Sequence, residues 1–399
     1  MFAVFHRLRN VVRGVVGVAG VGLLAACDPS ALNLPNPGGA PSGPAVDTTE
    51  PVQVALLVPS GSGVAALDGI AVSLENAAKL AVSSLNGVEV DLRVYSTQRN
   101  TQVAVNAAAQ AMNDGADIIL GPLDGEAAAA VGRTVAGTGT QVLAFSNNTA
   151  IAGGNVYLLG QTFEDSARSV ARFAAEQGKS KVVLIHARDV AGEAGRAAVA
   201  KAVAESGLTL SGVAGYEPSQ AGVFATASSA AATARSSDAD ALFLTSNAAG
   251  ALPIFLELLP ERGLGPDAIQ YLGLSRWDSD PRLFSLPGAN GAWFAMPDRA
   301  RDAAFKARYA ATYGNQPHIL ASTAFDGIAA IGALWAQGGN DPLGSASLTR
   351  SAGFQGATGI FRLRTDGTND RGLAIGTIQG GQVQTLQAAP TSFGRGFGF

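Results

Sequence analysis

The chain has 399 residues, with 27 Lys+Arg against 31 Asp+Glu, a formal net charge of -4 and 47% hydrophobic residues, enough for a large core and two or three domains. One cysteine excludes a disulfide framework, and three histidines scattered at positions 6, 186 and 318 offer no spacing at which metal ligands converge. Without a basic tract to grip phosphates, nucleic-acid binding is set aside as well.

At the N-terminus, His6, Arg7, Arg9 and Arg13 precede an uncharged run from Gly14 to Ala26 that ends in small residues. A stretch of about 13 residues is shorter than the roughly 20 that span a bilayer, so residues 1–26 read as a secretory signal peptide. Leu24-Ala25-Ala26-Cys27 resembles the bacterial lipobox, which implies that Cys27 carries the lipid and that the exported chain is anchored to the inner or outer membrane. Removing residues 1–26 takes three arginines and no acid, which leaves 24 basic against 31 acidic residues and a mildly acidic product. Residues 27–51 are rich in Pro, Gly and Ser without apolar periodicity and form a flexible linker.

From Val52 onward, short β-branched runs alternate with segments of helical period. Val52–Val58, Val88–Tyr95, Ala116–Leu120 and Gln141–Phe145 read as buried strands. Between the first two, Leu67, Ile70, Ala71, Leu74, Ala77, Ala78, Ala81 and Leu85 recur at the spacing of one helix face. The pattern restarts with strand-like Lys181–His186, Leu208–Ala214, Ala241–Thr245 and Ile269–Leu272. Arg301–Tyr313 and Ser322–Gln337 read as helices, and Gly359–Gly381 as a hairpin turning near Asp366-Gly367. A repeated βα series implies parallel strands with right-handed crossovers and helices on both faces, hence an α/β chain of two similar lobes. In such sheets ligands collect at the carboxyl ends of the strands. Those ends here are polar, Gly-rich loops: Ser60-Gly61-Ser62, Asp124-Gly125-Glu126, Ser146-Asn147-Asn148-Thr149, Arg188-Asp189 and Ser246-Asn247.

The segments VALLVPSGSG (54–63), GADIILGPLDG (115–125), VLAFSNN (142–148), DALFLTSN (240–247) and GATGIFRLRTDGTNDRGLAIGTIQGG (356–381) resemble type I periplasmic binding proteins, the leucine-binding protein-like superfamily. Within it they are most similar to lipoproteins that activate penicillin-binding proteins. The late segment, with Gly356, Thr358, Gly359, Gly367, Arg371, Gly372 and Gly380, is the more discriminating piece. The resemblance implies a two-lobed domain over 52–385 whose chain crosses between lobes three times. Lobe 1 is then about 52–160 and 290–345, lobe 2 about 161–288 and 350–385, with a tail over 386–399.

An amino-acid receptor of this superfamily must hold a zwitterion, with hydroxyls for the carboxylate and an acid for the ammonium. Where hydroxyls usually follow Gly-Pro-Leu, this chain has Asp124 and Glu126. The place of the usual aromatic in lobe two is Ala191-Gly192. Candidate cleft contacts are Ser60, Ser62, Asp124, Glu126, Asn147, Thr149, Arg188 and Asn247. Several carry a structural reading beside the functional one: Asp124 and Glu126 as cap and dipole partners of a helix opening near Ala127, Ser60 and Ser62 as turn residues, and Arg188 paired with Asp189. Trp277 reads as lobe-to-lobe packing or a partner anchor, and Arg371 as the mate of an acid near its hairpin. Catalytic motifs fail: Gly178-Lys179-Ser180 lacks the earlier glycine of a phosphate loop and precedes a strand, and Gly61-Ser62-Gly63 is not a nucleophile elbow. The resemblance thus implies a non-catalytic periplasmic lipoprotein without cofactor or metal that docks on and activates a penicillin-binding protein in peptidoglycan synthesis. The alternative is a solute receptor of an ABC transporter for amino acids, amides or another small polar ligand.

Overall fold

The computed structural model describes residues 48–394. The expected signal peptide over 1–26, the expected lipid site Cys27, most of the 27–51 segment and the last five residues lie outside the described residues.

Five strands, β1 (Val52–Val58), β2 (Val90–Ser96), β3 (Ile118–Leu120), β4 (Gln141–Ala144) and β5 (Val156–Leu158), pair in parallel in the order β2-β1-β3-β4-β5. Parallel neighbours need crossovers, and α1 (Ala65–Val82), α2 (Thr101–Asn113) and α3 (Gly125–Val135) supply them. Alternate residues of β1 feed two cores: Val54, Leu56 and Val58 pack on the α1 side, Ala55 and Leu57 on the α2 and α3 side. That is why β1 reads as an unbroken apolar run. The sequence predicts β2 as buried too, but it is an edge strand paired only with β1, and its residues Arg93 and Val94 are exposed.

The chain then enters a second lobe through α4 (Phe163–Glu176). β6 (Lys181–Ala187), α5 (Val190–Glu205), β7 (Thr209–Tyr216), α6 (Gln220–Ser236), β8 (Ala241–Leu244), α7 (Leu252–Glu261), β9 (Gln270–Gly273) and β10 (Trp293–Met296) follow. It returns to the first lobe with α8 (Arg299–Tyr313), α9 (Ala321–Gln337) and α10 (Ser345–Leu348), then β11 (Phe354–Gln355), β12 (Ile360–Leu363) and β13 (Asn369–Arg371). It ends with β14 (Ala374–Gln379) and β15 (Gln382–Gln387) back in the second sheet, whose order is β15-β14-β10-β9-β8-β6-β7. β14 and β15 run antiparallel, and the rest of that sheet is parallel.

Two predicted lobe boundaries shift. Residues from 290 were expected in lobe 1, yet β10 pairs with β9 and β14, so the crossing comes after Met296. Residues from 350 were expected in lobe 2, yet β11, β12 and β13 form a separate antiparallel sheet whose Phe354, Phe361 and Leu363 bury into the lobe-1 core beside Leu56 and Ile328. Only β14 and β15 rejoin lobe 2. The tail begins later than 386, because β15 runs to Gln387. α9 carries much of the lobe-1 core through Ile328, Ile331, Leu334 and Trp335, each burial worth roughly 1.5–3 kcal/mol. No helix among the described residues is long and apolar enough to cross a membrane.

Candidate functional site

The three crossings between lobes lie at Gly160–Thr162, at Pro297 and at Gly372–Leu373, and all three border one cavity of about 300 Å³. Lobe 1 contributes Leu123, Phe145, Ser146 and Asn147 from the ends of β3 and β4, together with Leu320 and Thr323 from α9 and its approach. Lobe 2 contributes Phe163, Ser166, Leu274, Ser275 and Arg276. A second cavity of about 560 Å³ opens on the carboxyl ends of β6, β7 and β8 in lobe 2, lined by Asp189, Tyr216, Ser219 and Asn247 among others. Phe163 and Ser275 border both, so the two are neighbouring parts of one cleft.

Most polar side chains at these strand ends are spent on starting helices. Asp124 accepts from Glu126 N (3.1 Å) and Ala127 N (3.2 Å) at the head of α3, and Thr162 Oγ1 accepts from Asp165 N (3.1 Å) at the head of α4. Asp189 Oδ1 accepts from Gly192 N (2.7 Å) for α5, and Ser219 Oγ from Gly222 N (3.1 Å) for α6. The orphan N–H groups of a first turn need such partners, so these residues, the site candidate Asp124 among them, serve mainly as caps.

The structure brings two of the eight candidates to the cavities: Asn147 to the interlobe cavity and Asn247 to that of lobe 2. Ser62 shapes the entry to α1 by donating its hydroxyl to Asp68 Oδ1 (3.1 Å), and the Ser60 carbonyl accepts from Ser96 Oγ at 2.5 Å. Asp124 caps α3 and Glu126 sits exposed in its first turn. Thr149 Oγ1 donates to Glu164 Oε1 at 3.1 Å, which ties a lobe-1 loop to the head of α4 instead of presenting a hydroxyl to the cavity. Arg188 pairs with Glu217 at 3.4 Å on the surface and not with Asp189, because capping holds that carboxylate at the α5 backbone. Trp277 is neither a lobe-to-lobe residue nor a partner anchor: it is fully buried inside the lobe-2 core, stacked on Phe294 with ring centroids 6.1 Å apart. Arg371 does not pair with a hairpin acid either, since its Nη1 donates to Asp326 Oδ2 of α9 at 2.8 Å and its Nη2 to the Leu159 carbonyl.

Sequence reading placed Ser146 in a strand-end loop without singling it out, and missed Thr162, Ser166 and Arg276 as cavity residues. Arg276 had a signal: Asp278 stands two residues on, with an apolar Trp between. In the structure Arg276 Nε and Nη2 hold Asp278 at 3.2 and 2.6 Å. Burial works against the Arg276 charge, but the Asp278 carboxylate outweighs it and holds the guanidinium above its ordinary value. Ser146 Oγ accepts from Asn148 N at 3.2 Å and keeps its own hydrogen for another acceptor. His186 is buried in lobe 2 with Nδ1 2.9 Å from the Ala187 carbonyl, while His318 belongs to lobe 1, where partial burial lowers its pKa. No group of three His, Cys, Asp or Glu side chains among the described residues is arranged to hold a metal.

The family profile described as Periplasmic binding protein matches residues 51–382. No curated protein matches the chain. Among solved structures, a Rhodospirillum rubrum protein provisionally described as a branched-chain amino acid ABC transporter is similar with a TM-score of 0.72 at 18% identity, covering 84% of this chain and 100% of that one. An ABC transporter substrate-binding protein of Desulfitobacterium hafniense in complex with Leu follows at 0.64 and 17%, covering 84% and 100%. A solute-binding protein of an ABC transporter from Rhodopseudomonas palustris in complex with 3,4-dihydroxybenzoic acid reaches 0.58 and 17%, covering 85% and 98%. Two α/β lobes joined by three crossings over a cleft, together with a family match across almost all the described residues, place the chain among the periplasmic binding proteins, in their type I, leucine-binding protein-like form.

Proposed function

We propose that this protein is a solute receptor that closes its two lobes on a small ligand and presents it to an ABC transporter. The observation that carries the reading is the cavity of about 300 Å³ lined by both lobes and bordered by every crossing between them, with a size and a mixed lining, apolar at Leu123, Phe145, Phe163 and Leu274 and polar at Asn147, Ser166 and Arg276, that suit a small molecule. The solved relatives that bind leucine or an aromatic acid in complex lend it support. Family membership implies a periplasmic location. Thermal-shift screening of the exported chain against amino acids, carboxylates, amides and sugars, followed by calorimetry on any hit, tests it. Saturation at one ligand per chain, with the ligand recovered chemically unchanged, is the expected result for a non-catalytic receptor. A flat response across the whole screen counts against it.

The other role, activation of a penicillin-binding protein, rests on the late segment from Gly356 to Gly381 together with the lipobox, the linker and the missing zwitterion clamp. The distinctive residues of that segment have folding duties that account for them. A Cβ at Gly356 would stand 2.4 Å from Asp326 Oδ1, and Gly367, at φ +81°, would place one 2.2 Å from the Gly153 nitrogen. Arg371 is the buried mate of Asp326. Folding duties thus account for Gly356, Gly367 and Arg371 without a partner, and the solute reading is preferred. Lipid anchoring at Cys27 belongs to the same proposal. Labelling with a clickable palmitate should mark the intact chain and leave Cys27→Ala unmarked, and a soluble, unlabelled parent would remove the anchor.

A further inference from the structure

The interlobe cavity is lined by two guanidinium side chains, Arg276 and Arg371, and by no aspartate or glutamate. Arg371 is committed to Asp326, but Arg276 uses only Nε and Nη2 on Asp278, which leaves Nη1 without a partner among the described residues. Across the cavity, the Ser146 hydroxyl of lobe 1 has a hydrogen to give. Arg276 and Ser146 thus offer one donor from each lobe, and they share the lining with apolar Leu123, Phe145, Phe163, Leu274 and Leu320 and with neutral polar side chains such as Asn147, Ser322 and Thr358. An ammonium group placed here would find no lining carboxylate to pair with, because Asp278 and Asp326 are taken by the two arginines and Asp189, the one carboxylate lining either cavity, lies in the lobe-2 cavity and is held as the cap of α5.

We infer that the ligand is a monocarboxylate with an apolar body and no ammonium, such as a branched 2-oxo acid or an aromatic acid, with its carboxylate held between Arg276 and Ser146 and its body against the apolar walls. The inference rests on the solute-receptor reading and narrows it. It is tested on the whole exported chain by calorimetry with matched pairs: 4-methyl-2-oxopentanoate against leucine, and 3-phenylpropanoate against phenylalanine. The ammonium-free member of at least one pair should bind at least a hundredfold tighter than its amino acid. Arg276→Gln should weaken that binding at least tenfold, and Arg276→Lys by less, with both variants giving circular dichroism spectra like the parent. Equal or tighter binding of leucine or phenylalanine overturns the inference and leaves the receptor reading intact. So does tight oxo-acid binding that Arg276→Gln fails to weaken. No response to either pair, with a hit elsewhere in the broader screen, again overturns only the ligand class, whereas silence across the whole screen overturns both.

Discussion

Asp326 and Arg371 are 45 residues apart in sequence and 2.8 Å apart in space, both buried where the third sheet meets α9. Asp326 also accepts from Ala357 N at 2.7 Å, so one carboxylate fixes both a strand and a loop. Burial raises its pKa against the attraction of Arg371. Because removing one partner leaves the other charge buried alone, Asp326→Ala should cost about 3–5 kcal/mol in urea unfolding. Replacing both at once, as Asp326→Leu with Arg371→Met, should recover much of that loss. Asp165 is a second buried carboxyl raised by burial. Burial raises this carboxyl to about 7, opposed by Arg168 at 3.9 Å and Arg371 and reinforced by Asp370. A raised carboxyl pKa means that the folded state keeps a proton the unfolded chain has already released, so stability is full below about pH 4 and falls as pH rises towards 7. Asp165→Asn, which removes that titration, should match the parent at pH 4 and exceed it in Tm at pH 8. A variant no more stable than the parent at pH 8 would show that Arg168 and Arg371 hold Asp165 ionised.

At the scale of elements, strands that are apolar on both faces were legible, as were the edge strands β2 and β7, while β5, β10 and β15 were not. β1, β4, β6 and β8 are apolar on both faces, so their runs announce themselves in the sequence. β15 is polar and mostly exposed because it closes the edge of its sheet, so it shows no apolar run. The same logic explains the site. Loops at strand ends advertise polar residues, but the backbone of each following helix claims most of them, and sequence alone does not separate a cap from a contact. Asp124 makes the test. As the cap of α3 it should lose about 1 kcal/mol of stability on change to Ala, with ligand affinity unaltered, whereas a tenfold change in affinity at equal stability would return it to the site.

The whole molecule is two lobes that neither complete themselves in one pass nor separate at a single cut. β1 to β5 with α1, α2 and α3 have one face covered locally, by α2 and α3, while the core on the other is only half built by α1 and is completed by α8 and α9, which arrive only after the chain has built lobe 2. That return was foreseeable from family likeness but not from periodicity, since α9 is apolar on nearly every side and carries no mark of which sheet it serves. A fragment of residues 48–160 should therefore expose Leu56, Leu74, Leu120 and Tyr157, bind a hydrophobic dye and unfold without a cooperative transition. Gly160 and Pro297 border the same cavity of about 300 Å³, so a ten-residue Gly/Ser linker, with a mean reach of about 17 Å, can join residue 160 to residue 298 in place of the first part of lobe 2. A chain of residues 48–160, that linker and residues 298–371 contains every element of the lobe-1 core. It should show one sigmoidal urea transition and no dye binding. Cooperative unfolding of the shorter fragment by itself would mean that α9 is a lid on a finished lobe and not half of its core.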